Sequence, residues 1–217
     1  MRSIYASMLA VAVVSTSAQA GLVNPLIPSW SGGANTQRAQ WDSFTQPSGG
    51  ANVPDLAGSS PFSLFNFGPG AFITGSGNIY SQNGVLSIML MGGTLNNAST
   101  PAQVVMNVAT AGSTLNLSSV RLWLFDNIGN SMSIAPALSE LRADSPTPPQ
   151  GAAQTWAFTW NTAGVPLTAT GFRVEFSAGA PSMSLDAVRL DLQYVPAPGA
   201  FALVAAAGIV ARRRRRD

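Results

Sequence analysis

The side chains able to do acid–base chemistry in this 217-residue chain are few. Histidine, cysteine and lysine are all absent, so its eleven cationic side chains are arginines. That composition removes the usual general base, the usual zinc or copper ligand, the Ser-His-Asp and Cys-His nucleophile systems, and the lysine of a phosphate-binding loop. Catalysis would have to run on carboxylates, as in a metal-free glycosidase or a calcium-dependent site. Asp126, Glu140 and Asp144 are the acids that could be gathered into a carboxylate pair or a calcium cluster, although their spacing does not demand it. Gly75-Ser76-Gly77 has no strand-to-helix phosphate loop behind it, and no Gly-x-Ser-x-Gly elbow occurs. The sequence therefore predicts a protein that is not an enzyme.

Aromatic rings offer a second kind of chemistry. Trp156, Phe158 and Trp160 alternate with Ala157 and Thr159, which points all three rings to one side of a strand. Facing outward they would form a platform of the kind that stacks on sugar rings, with Trp30 as a further candidate. Facing inward they are core, and the inward reading is favoured because a chain with few aromatics needs its largest rings buried.

The elements that must hold these groups read as all-β. Gly, Ser, Thr, Asn and Pro interrupt short apolar runs, and no stretch in 21–194 keeps a 3.6-residue period for three turns. Residues 21–60 look loop-rich, anchored by Trp30, Trp41 and Phe44. Short edge strands are expected at 62–67 and 71–74. Asn83-Gly84 between 79–80 and 85–90 predicts a type I′ hairpin. Residues 103–110 place Val104, Met106 and Val108 on one face, and 120–125 suit a central strand covered on both sides. Residues 131–144 are ambiguous, and 145–149, rich in proline, read as a loop. Phe172, Val174 and Phe176 face a core while Arg173 and Glu175 face water.

The final strand, 182–194, changes phase between Leu185 and the series Val188, Leu190 and Leu192, so a bulge near Asp186-Ala187 is predicted. Arg189 and Asp191 then lie outside. If this strand neighbours 172–176, Arg173 pairs with Asp191 and Glu175 with Arg189. The strand count and spacing suggest a two-sheet antiparallel β-sandwich, jelly-roll-like.

Both ends of the chain read as addresses. Met1-Arg2, an apolar stretch at 6–14 and Ala18-Gln19-Ala20 have the layout of a signal peptide, a helix over 1–20 cleaved between Ala20 and Gly21; an uncleaved anchor is the competing reading. At the other end, Val195-Pro196-Ala197-Pro198 precedes an apolar run at 199–210, Ala211, and then Arg212, Arg213, Arg214, Arg215 and Arg216. A helix over that run is roughly 20 Å long at about 1.5 Å per residue, against a hydrocarbon core of roughly 30 Å, so it spans marginally with the arginines snorkelling. The positive-inside rule keeps the arginines in the cytoplasm and puts everything before Val195 outside. A buried core helix or a basic nucleic-acid tail are the competing readings.

This tail resembles the PEP-CTERM sorting signal of bacterial surface proteins, a Pro-Glu-Pro element, a hydrophobic helix and an arginine cluster, with Ala197 where the family has glutamate. The words 39–44, 52–55 and 77–80 look similar to the opening of other domains that carry this tail. The resemblance implies a signal peptide at 1–20, a domain at 21–194 and a sorting signal at 195–217. It implies the export machinery and an exosortase-like membrane transpeptidase as partners, and a location in the cell envelope, at the cell surface or outside the cell. Between Gly21 and Ala211 five arginines (38, 121, 142, 173, 189) face eight acids (42, 55, 126, 140, 144, 175, 186, 191), a net side-chain charge of −3, so nucleic acid is not an expected partner. An exported domain of roughly 175 residues without cysteine must be held by its core, burying about 70% of its unfolded surface.

The run 172–176 followed by 184–190 also resembles the final strands of jelly-roll carbohydrate-binding modules. That resemblance implies an extracellular polysaccharide as an alternative partner, and a turn cap or a structural calcium at Asp186. Calcium there is the one cofactor left open; an Asp satisfying backbone N–H groups at a bulge is the competing role.

Overall fold

The computed structural model describes residues 21–57, 62–93, 100–147 and 151–194, and the two terminal segments expected to be helical lie outside that range. Within it the chain is all-β, with no helix among the described residues and two antiparallel sheets. In chain-order numbering, the larger sheet runs β10 (Leu138–Thr147), β11 (Gly151–Asn161), β7 (Pro101–Gly112), β13 (Met183–Tyr194), β1 (Thr36–Trp41) and β2 (Leu56–Ala57). A short ribbon, β4 (Ala71–Ile73) with β5 (Ile79–Ser81), joins it through β5 and β13. The smaller sheet runs β3 (Phe62–Asn66), β6 (Ser87–Gly93), β12 (Gly171–Ala178), β8 (Leu115–Phe125) and β9 (Ser131–Ile134).

One apolar cluster joins the sheets. Val104, Met106 and Val108 of β7 and Phe158 and Trp160 of β11 meet Leu122 and Leu124 of β8 and Phe172, Val174 and Phe176 of β12. The period-two patterns decide this directly: β12 alternates half-buried and buried along its whole length, with Arg173 and Glu175 turned away from the core. The β13 bulge falls where the phase change predicts it, with the register against β7 skipping between Leu185 and Ala187, so Leu185 and Val188 both reach the core.

Several expectations are corrected. The loop-rich region contains β1, whose TQRAQW sequence has only Ala39 and Trp41 as apolar inward residues, too few to stand out. The Asn83-Gly84 hairpin does not form: β5 and β6 belong to different sheets, and neither residue has a positive φ. The chain crosses between the layers there, and a Cβ on Gly84 would collide with the Pro69 carbonyl, so this glycine serves close approach instead of a left-handed turn. Residues 145–147 belong to β10, with Thr147 opposite Gly151, and 131–144 resolves into β9 and the start of β10. Pro146 is tolerated because β10 is an edge strand, where a missing N–H breaks no ladder. The same strand carries a register shift between Leu141 and Ala143.

β12 and β13 are not neighbours, so the charge pairs form within strands, Arg173 with Glu175 and Arg189 with Asp191. Neither Arg189 nor Asp191 lies outside in the solvent, because residues 21–33 fold over the outer face of the larger sheet. β8 is internal to its sheet, but its outward Trp123 and Phe125 are only half-covered.

Candidate functional site

The three rings of β11 face the core, the reading favoured over a platform. Phe158 and Trp160 are fully buried, and Trp160 Nε1 donates to Ile134 O at 3.1 Å. Trp156 is half-buried on the same face, stacked on Phe158 with centroids 6.3 Å apart, and its Nε1 donates to Gln154 Oε1. Trp30 is half-buried beyond the opposite face of the sheet, donating from Nε1 to Gln103 Oε1 at 2.8 Å. The three tryptophans therefore share no surface, and Trp160 belongs to the core.

The sheet face beneath residues 21–33 is polar and tightly paired. Asn107, fully buried, uses both ends of its amide on Leu26, accepting from Leu26 N at 2.7 Å and donating to Leu26 O at 3.0 Å, as a strand neighbour would. Val23 N donates to Thr155 Oγ1, and the Asn24 side chain and Arg142 exchange bonds with each other's carbonyls. Further along, Ser31 Oγ donates to Asp191 Oδ1 and accepts from Arg189 Nη2, closing over the Arg189–Asp191 pair.

Where this segment begins, a cleft of about 430 Å³ opens, with Gly21, Thr110, Asp144, Gln154 and Asp186 on its walls. Asp186 is the bulged residue of β13 and is only 3% exposed. Its Oδ1 accepts from Asn78 Nδ2 and from Ser184 Oγ, both at 2.6 Å. Burial pushes its carboxyl pKa up to about 6, against the pull of those two bonds. Asn78 Oδ1, beside it, is buried with no donor.

The site holds a single buried carboxylate approached by an amide and a hydroxyl that both donate, whereas calcium takes six to eight oxygen ligands. No group of three acidic ligands occurs among the described residues. Asp126, Glu140 and Asp144 are not brought together: Asp126 closes the β8–β9 turn by accepting from Ile128 N and Asn130 N, Glu140 pairs with Arg142, and Asp144 accepts from Gln154.

Sequence reasoning overlooked the outer face of the smaller sheet. Register places Ser63, Met91, Arg173, Trp123 and Ser133 in one row across it, and Phe65, Met89, Glu175 and Arg121 in the next. The Arg173 guanidinium lies 4.9 Å from the Trp123 ring centre and 5.1 Å from that of Phe125, a cation–π arrangement. Its Nε is 2.8 Å from Glu175 Oε1, but the N–H is not aimed at that oxygen, so the contact is an ion pair without a hydrogen bond. Phe65 and Phe67 stack at 6.0 Å, and Phe67 borders a shallow groove of about 300 Å³ with Met89, Glu175 and Ser177.

No protein-family model matches the chain, and no curated protein matches it. The only signal for the second face was the parity of Trp123 and Phe125 with Arg121, which becomes a surface pattern once β12 is known to lie alongside.

Proposed function

We propose that this chain is a non-catalytic, exported bacterial protein of the cell surface or extracellular matrix, sorted through residues 195–217 by an exosortase-like transpeptidase. The observation that carries it is the pairing of an N-terminal export sequence with a C-terminal apolar run closed by five arginines. Cells expressing the full chain should retain it in the envelope, whereas a chain truncated after Tyr194 should pass into the medium. Equal retention of both would remove the sorting role.

A jelly roll is the finer fold assignment. It is supported by the alternation of β5 to β8 and β11 to β13 between sheets, with orders β5-β13-β7-β11 and β6-β12-β8-β9.

Glycan binding is the second reading, moved to the outer face of the smaller sheet by the row containing Trp123 and Arg173. Polysaccharide pull-down should weaken about two- to tenfold in Trp123→Ala with the fold retained, since one stacked ring contributes about 0.5–1.5 kcal/mol. Unchanged retention on every polysaccharide that the parent binds would exclude that face. A carboxylate-only glycosidase is the remote alternative, its acids being Asp186 and Asp144 on the walls of the cleft.

A further inference from the structure

We propose that the Asp186 cleft is an ammonium site, and that its occupant is the chain's own α-amino group at Gly21, created when the signal peptide is removed. The inference rests on the export reading and on cleavage between Ala20 and Gly21. Gly21 already lies on the wall of the cleft with Asp186. The segment that follows is fixed there by Val23 N on Thr155 Oγ1 and by the reciprocal bonds between Asn24 and Arg142. Asp186 is buried, and both of its hydrogen bonds fall on Oδ1, so Oδ2 has no donor among the described residues. An ammonium group brings three N–H donors and a positive charge, which is what a desolvated carboxylate with one oxygen lacking a donor requires.

Among the described residues no other cation serves Asp186. Arg142, on the edge strand β10, is committed to Glu140 and to Asn24 O. The other charged group on the walls is Asp144 of β10, of the same sign as Asp186; β7 and β11 contribute neutral Thr110, Gln154 and Thr155. In the precursor, Gly21 carries an uncharged amide N–H, and no counter-ion faces Asp186 among the described residues. Signal removal supplies it, so the pairing tightens residues 21–33 over the larger sheet only after export.

The composition makes this unusually testable. With no lysine in the chain, the α-amino group is its only primary amine. The exported protein is purified from cells, its N-terminus is fixed by intact mass, and the amine is acetylated at pH 7 in native buffer and in urea. Acetylation is expected to be at least tenfold slower in the native protein.

Protein acetylated in urea and refolded should melt about 10 °C lower than unmodified protein at pH 7. Reductive dimethylation, which keeps the charge, should leave most of that stability in place. The sign in pH follows from Asp186: without its partner, its folded pKa of about 6 exceeds the unfolded value of 3.8. Stability of the acetylated form is therefore intact below about pH 4 and lost as pH rises through 6, so the gap between the two forms opens across that window. In Asp186→Asn, acetylation should no longer change the melting temperature.

A Gly21 terminus that reacts equally fast folded and unfolded, or an acetylated form that melts like the parent at pH 7, overturns the pairing and leaves the export reading standing. A mature chain that starts at any other residue overturns both the cleavage point and the pairing.

Discussion

Replacing Arg189 with alanine is expected to destabilise the domain by about 3–5 kcal/mol, the cost of leaving a buried charge without its partner. Arg189 grips Asp191 with two bonds, Nε to Oδ2 at 2.7 Å and Nη2 to Oδ1 at 3.0 Å, and Asp191 is completely buried. Both side chains stand on the outer face of β13 opposite β1, where Arg189 aligns with Gln40 and Asp191 with Arg38, beneath the Ser31 hydroxyl. Removing the guanidinium leaves Ser31 Oγ as the one side-chain donor to Asp191 seen among the described residues. Urea denaturation measures the loss. The double variant Arg189→Met with Asp191→Leu should regain most of it, because an apolar pair of similar volume avoids desolvating two charges. A cost below about 1 kcal/mol for Arg189→Ala would mean that the pair behaves as a solvated surface bridge.

Gly68→Ala is expected to cost about 3 kcal/mol or more. A Cβ there would overlap the Val85 carbonyl oxygen and sit 2.9 Å from both Leu86 Cα and Ser87 N, all backbone atoms that no rotamer change can move. The surroundings cannot drift apart either. Asn66, fully buried, accepts from Gly68 N and Ser87 N through Oδ1 and donates through Nδ2 to Pro47 O and Gly68 O, while Phe67 N donates to Ser87 O. Gly49→Ala is the matched control: its φ is +70° but nothing lies within 4 Å of the new methyl, so only the backbone term of about 1 kcal/mol remains. Thermal melts of the two variants should separate clearly. Similar losses in both would mean that the crossover between the sheets is looser than its bonding implies.

Legibility in the sequence followed the strength of the two-residue period. β12, β7 and the phase change in β13 are written in alternating apolar residues whose neighbours are charged or small, and the bulge at Asp186 could be placed from that alone. β1 was not legible, because Gln37 faces inward, where it accepts from a Tyr194 hydroxyl 157 residues away. Asn83-Gly84 misled for a related reason: a glycine needed for close packing against Pro69 has the same spelling as one needed for a turn.

For the candidate sites, residue types were readable and neighbours were not. Asp186 could be singled out, but its burial beside Asn78 depends on a contact spanning 108 positions. Trp123 could be found but not assigned to a surface row until Arg173 lay beside it.

The bulged, proline-bearing β10 governs how these molecules can crowd together. Sheet margins invite strand addition from a second molecule, and natural sheets discourage it with short, kinked or charged borders. Here one border carries Pro146, a register slip and Glu140, Arg142 and Asp144, and the opposite border is formed by the two-residue β2 and the three-residue β4. The smaller sheet closes on five-residue β3 and four-residue β9. At high local concentration such domains would resist zipping into fibrils edge to edge, leaving their broad faces as the surfaces for assembly.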